Sequence, residues 1–166
     1  MLSVSGSPSL RGIMLARFTM LIAACQDVAA PAGRNSVELS YTDAYVMQPI
    51  GDRDMTAGGV TLSVTGDPVR LKGVSSPVFE VIEMHTMSMQ DGRMQMRPVT
   101  EFELREDQDI RMTSGGDHLM MFGFVEPIET GETVELFADF ATDDGPVRLR
   151  IEAVVRAYDH GRHSGH

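Results

Sequence analysis

From Val37 onward the chain reads as short runs of β-type residues separated by turn formers. The runs include VELSYTDAYV, GVTLSVTG, PVRLKGVSS, VFEVIEMH, MQMRPVTEFEL, LMMFGFV, TVELFADFA and VRLRIEAVVRAY, and the dividers include PIGD, TGDP, QDG, SGGD, ETGE and DDGP. Alternation is clear in two of them. In TVELFADF, Val134, Leu136, Ala138 and Phe140 fall on one face, with Glu135 and Asp139 on the other. In VRLRIEAVV, Val147, Leu149, Ile151 and Ala153 alternate with Arg148, Arg150 and Glu152. Faces of period two line a single core when strands are half-buried. No segment carries a long helical period and no internal repeat is visible, so the pattern predicts an all-β sandwich or barrel.

The pattern divides the chain into residues 1–24 as a leader, 25–36 as a linker, 37–158 as the β domain and 159–166 as a polar tail. Arg11 and Arg17 precede an apolar run from Phe18 to Ala24, the arrangement of a secretory n-region and h-region. That run is too short to span a bilayer as a mature helix. The tetrapeptide Ile22-Ala23-Ala24-Cys25 resembles the lipobox of bacterial lipoproteins, in which the cysteine is lipidated and becomes the new N-terminus. Export to the periplasm is therefore expected, with Cys25 as the lipidation candidate and a membrane tether as its consequence. Met14 is an alternative start to Met1, and a plain secretory leader or a buried N-terminal strand suits the same residues.

Charge and cysteine content narrow the function. The net charge of −10 argues against a nucleic-acid partner, whose phosphates it would repel. A single cysteine excludes an intramolecular disulfide framework and a Cys-rich zinc site. No nucleophile–base constellation for hydrolysis is evident and no cysteine pair exists for thiol chemistry, so no enzyme is expected. Methionine is the outlier, at 13 residues, eight of them between Met84 and Met121.

The methionines gain meaning from strand geometry. A two-residue loop at Asp91-Gly92 suits a type I′ hairpin, because both central residues must accept positive φ. That register pairs Gln90 with Arg93, Met89 with Met94 and Met87 with Met96, and it puts His85 diagonal to Met96. His85, Met87, Met89, Met94 and Met96 then share a face, while Met84 points to the core. In GGDHLMMFGF, His118 and Met120 share one face, and Leu119 and Met121 share the other, the core side. Thioether sulfur is soft and uncharged; with neutral imidazole it suits Cu(I) rather than Ca²⁺, Mg²⁺ or Zn²⁺. A blue-copper centre needs a thiolate, and the only cysteine lies at the leader's end. The competing interpretation of any one of these methionines is core filler, since Met packs irregular gaps.

His85, Met96, His118 and Met120 together read H-x10-M-x21-H-x-M. This resembles the signature of the periplasmic PCu(A)C copper chaperones, and the flanking blocks extend the resemblance over about residues 40–156. The resemblance implies a cupredoxin-like Greek-key β-barrel over residues 37–158 that binds Cu(I) through His85, Met96, His118 and Met120. It further implies delivery of copper toward a cytochrome oxidase copper subunit or another copper chaperone, or periplasmic copper homeostasis. Some members carry Met directly after the first His; here that position is Thr86, which leaves Met84, Met87 and Met89 as auxiliary sulfur candidates. Because imidazole must be neutral to coordinate, acid is expected to release the metal. His160, His163 and His166 recur every third residue and form a candidate Cu(II) site, with a solvated tail as the alternative. Three rival functions compete for the same sequence: a copper buffer without specific delivery, a non-metal structural β-sandwich that serves as an interaction module, and a copper oxidase, which would need an open, redox-cycling site.

Overall fold

The structure is a computed structural model that describes residues 36–90 and 92–158. The leader, Cys25, Asp91 and the tail histidines His160, His163 and His166 lie outside the described residues. Within them the chain forms ten strands and no helix. They are β1 (Glu38–Met47), β2 (Met55–Thr65), β3 (Val69–Ser75), β4 (Phe79–Gln90) and β5 (Arg93–Val99). After these come β6 (Phe102–Leu104), β7 (Ile110–Met112), β8 (His118–Phe124), β9 (Thr133–Thr142) and β10 (Gly145–Arg156).

The hydrogen-bonded order is β5-β4-β8-β2-β1-β10-β9-β3-β6, with β7 paired to β2 beside β8. Every pairing is antiparallel except β1 with β10, where Tyr45 faces Val154 in a parallel register. The chain crosses repeatedly between the two halves of this order: β2 and β4 lie in one, β3 and β9 in the other. The sheet curls on itself, and β3 touches β4 while β6 touches β7. Both halves line one apolar core, the solution available to strands that are apolar on one face only. The protein is thus all-β and cupredoxin-like.

The alternation predicted for β9 holds along its length, with Val134, Leu136, Ala138 and Phe140 all buried. In β10, Ile151 and Ala153 are buried and Leu149 packs against the core, but Val147 is exposed. Val147 pairs with Phe140 close to the β9–β10 turn, where the larger buried ring fills the end of the core. The run MQMRPVTEFEL divides into β5 and β6 at Thr100-Glu101. The short β7 adds buried Ile110 and Met112 from a segment dominated by charge.

One irregularity matters for the outer surface. In β1 the inward residues are Leu39 and Tyr41 before Thr42, then Ala44 and Val46 after it. The parity changes because the β1–β2 register shifts between Thr42 and Tyr45, and Asp43 takes a φ of 51°. Aspartate is among the few non-glycine residues that tolerate this left-handed region, and an extra residue in one strand is a β-bulge. The bulge turns Tyr45 outward, opposite Gly59. A Cβ on Gly59 would lie 2.2 Å from the Met112 carbonyl oxygen and 2.8 Å from the Tyr45 ring, so only glycine lets these groups close.

Candidate metal centre

The predicted hairpin forms with the expected register: Gln90 opposes Arg93, Met89 opposes Met94, and Met87 opposes Met96. Gly92 supplies a φ of 73°, a backbone conformation that glycine adopts without strain. His85 opposes Pro98, which places Met96 on its diagonal. Pairs next to a two-residue turn alternate between hydrogen-bonded and open rungs, starting with the closing pair Gln90–Arg93. By that count His85–Pro98 falls on an open rung, where proline's missing N–H costs nothing.

Strand β8 completes the face. His118 stands directly opposite His85, and Met120 stands between Glu83 on β4 and Ala57 on β2. The two imidazole centroids are 5.8 Å apart with a 46° tilt. Leu119 and Met121 are fully buried on the reverse side, as is most of Met84. A cavity of about 440 Å³ opens over this face, with His118, Met120, Met96 and Met87 in its lining beside Tyr45 and Met55. All four residues singled out by spacing therefore come together: three line one cavity, and the fourth, His85, pairs with His118 at its edge.

Each imidazole is held through one nitrogen. His118 Nδ1 lies 2.8 Å from the Gly116 carbonyl oxygen, which can only accept, so Nδ1 donates and Nε2 keeps the lone pair. His85 Nε2 lies 2.8 Å from a Glu83 carboxylate oxygen, so Nε2 donates and Nδ1 keeps the lone pair. That Nδ1 is buried and lacks a hydrogen-bond partner. An unsatisfied buried acceptor costs about 1–3 kcal/mol, and a coordinated metal ion would remove that cost. Histidine ligands characteristically give their second ring N–H to a carboxylate or carbonyl, the pattern found at both rings here. Both side chains are well shielded, His85 at 11% exposure and His118 at 6%.

Backbone around the site is fixed locally. The turn before β8 closes with Thr113 N–H donating to the Asp117 carbonyl (2.6 Å) and Gly116 N–H to the Thr113 carbonyl (3.2 Å). Tyr45 reaches across from β1, and its hydroxyl accepts the Ser114 N–H at 3.2 Å. Gly59, Tyr45, Ser114 and Gly116 thus form a positioning chain that ends on His118. Glu83, Tyr45 and the Gly116 carbonyl escape a reading of the sequence; only the Glu83-x-His85 spacing, which places both on one strand face, hints at one of them.

The donor set is specific in its chemistry. Among the described residues no three His, Cys, Asp or Glu side chains gather to hold an ion. What gathers instead is imidazole with thioether, a set matched to soft monovalent copper.

Comparison with known proteins agrees with the architecture. A family model described as LpqE-like lipoprotein matches residues 39–152. No curated protein matches this chain. The copper-bound PCuAC domain from PmoF2 aligns with a TM-score of 0.58 at 19% identity, covering 77% of this chain and 97% of that domain. The apo PmoF2 PCuAC domain gives a TM-score of 0.60 at 20% identity, over 75% of this chain and 95% of that one. The solution structure of CuI-DR1885 from Deinococcus radiodurans gives 0.53 at 26% identity, over 84% and 89%. The chain belongs to the LpqE-like family of PCuAC-type proteins.

Proposed function

We propose that this protein is a copper chaperone that holds Cu(I) on His85, Met96, His118 and Met120 and passes it to a copper-receiving protein outside the cytoplasm. The observation that carries this reading is the pairing of two shielded imidazoles, each with its second nitrogen held by an acceptor, beside two thioethers on the same outer face. The related PmoF2 domain is known in a copper-bound form and DR1885 in a Cu(I) form, which supports the same cargo here.

Graded exposure gives the site a direction for exchange. Met96 is 48% exposed, whereas His118 is buried. An incoming donor from the recipient displaces the Met96 sulfur first and the imidazoles last. All four ligands are neutral and copper stays in the +1 state, so transfer needs no electron and no proton. Thiolates would bind more strongly and oxidise outside the cytoplasm, whereas thioethers cannot form disulfides. The protein acts as a carrier rather than an enzyme. A cytochrome oxidase copper subunit, or another chaperone upstream of it, is the recipient class this reading favours. The leader and the LpqE-like lipoprotein description favour an extracytoplasmic location, with lipidation of Cys25 as the tether.

Anaerobic Cu(I) competition titrations of the wild type, Met96→Ile and Met120→Ile test the site. Each substitution is expected to weaken binding by more than tenfold; unchanged affinity in both rejects the ligand set. Transfer of Cu(I) to an apo oxidase copper domain then separates a chaperone from a buffer, since a buffer keeps its metal.

A further inference from the structure

The β4–β5 hairpin outgrows its support. The last β4–β8 pair is His85–His118, yet β4 continues to Gln90, so residues 86–90 and their β5 partners form an arm beyond β8. Its two faces are fully segregated. One carries Thr86, Ser88, Gln90, Arg93, Gln95 and Arg97, with Arg97 hydrogen-bonded to both Gln90 and Gln95. The other carries Met87, Met89, Met94 and Met96, continuous with His85.

Such strict alternation normally marks a face buried in a core. Here the thioether face is open: Met89 is 66% exposed, Met94 53% and Met96 48%. Packing therefore does not account for four methionines in two rungs. Both rungs, Met89–Met94 and Met87–Met96, are of the open kind in which opposed side chains approach most closely. The rungs are roughly 7 Å apart along the strands, within reach of side chains as long as methionine.

We infer that Met89 and Met94 form a second soft-metal site, an outer station for Cu(I) at the arm's tip from which the ion passes to the Met87–Met96 rung and so to the cavity. Two opposed thioethers bind a d¹⁰ monovalent ion without a change of oxidation state or proton count. With no imidazole, this station binds more weakly than the cavity, as a loading or release point requires. The inference rests on the copper reading of the cavity, and its test separates the two.

The experiment is an Ag(I) titration of the full chain carrying ¹³C-methyl methionine, with Ag(I) as a redox-stable stand-in for Cu(I). The Met96 and Met120 methyl signals are expected to shift within the first equivalent. Those of Met89 and Met94 are expected to shift in a second step, with an apparent affinity at least about tenfold weaker. In Met89→Ile/Met94→Ile the first step should persist unchanged; these side chains are exposed, so folding is not at stake. If Met96 and Met120 respond while Met89 and Met94 stay still through excess Ag(I), the outer station is wrong and the cavity reading stands. If none of the four methyls moves, both are wrong.

Discussion

His85 and His118 show how much of the proposed metal site is set one hydrogen bond away from it. His85 donates its Nε2–H to Glu83 and keeps the lone pair on Nδ1; His118 donates its Nδ1–H to the Gly116 carbonyl and keeps the lone pair on Nε2. The two rings therefore keep different nitrogens available for coordination. Removing such a supporting group typically costs about 10–100-fold in metal affinity. Glu83→Ala is expected to fall in that range, with Glu83→Gln, which keeps an acceptor oxygen, in between. Nitrogen-15 spectra of the apo protein should show Nδ1 of His85 as the unprotonated nitrogen in the wild type and a tautomer mixture in Glu83→Ala. The shared faces of His85 with Met96 and of His118 with Met120 were legible in the sequence from strand parity and the Asp-Gly turn, whereas joining the two pairs into one proposed ligand set rested on the family resemblance. Glu83 was not, since a carboxylate two residues before a histidine reads equally well as an ordinary surface pair until its rotamer is known.

At the scale of elements, the site depends on a bulge and a glycine some distance from the ligands. The extra residue at Asp43 turns Tyr45 outward, Gly59 lets its ring lie flat on β2, and the Tyr45 hydroxyl then anchors Ser114 in the turn that carries Gly116. Tyr45→Phe removes one hydrogen bond, worth about 0.5–1.5 kcal/mol, and should lower copper affinity more than it lowers the urea midpoint. Gly59→Ala forces a Cβ against the Met112 carbonyl and should destabilise the fold by about 1–3 kcal/mol in the same denaturation experiment. Neither dependence was legible. Alternation in β1 breaks at Asp43, and a single sequence cannot say which residue of a run is the extra one. β7 was missed for a related reason: three residues among acidic and turn-forming neighbours carry too little periodicity to stand out. The juxtaposition of β4 with β8 pairs residues 33 or more apart in the chain, such as His85 with His118, and only the tertiary fold supplies it.

Across the whole molecule, the core and the candidate site occupy opposite faces of shared strands. The core takes side chains from both halves of the sheet, Leu119 and Met121 of β8 included, and Phe140 is among its largest fully buried side chains. Phe140→Ala is expected to cost about 3–5 kcal/mol, a large share of the stability of a single domain. The outer ion pairs, such as Arg148 with Asp139 at 2.6 and 3.0 Å, are solvent-exposed, and Arg148→Met should shift Tm only slightly. The proposed metal face sits on the opposite balance, with a buried unsatisfied nitrogen and exposed thioethers that contribute little to the fold. Bound metal should therefore stabilise the protein by mass action, about 2.7 kcal/mol when free Cu(I) is a hundredfold above Kd, visible as a rise in Tm. The central claim is the mixed ligand set, and X-ray absorption on the protein loaded anaerobically with one equivalent of Cu(I) tests it most directly. Two nitrogen and two sulfur neighbours are expected, with the sulfur count falling by one in Met96→Ile and in Met120→Ile. A copper shell without sulfur, or a protein that takes up no Cu(I), would contradict it.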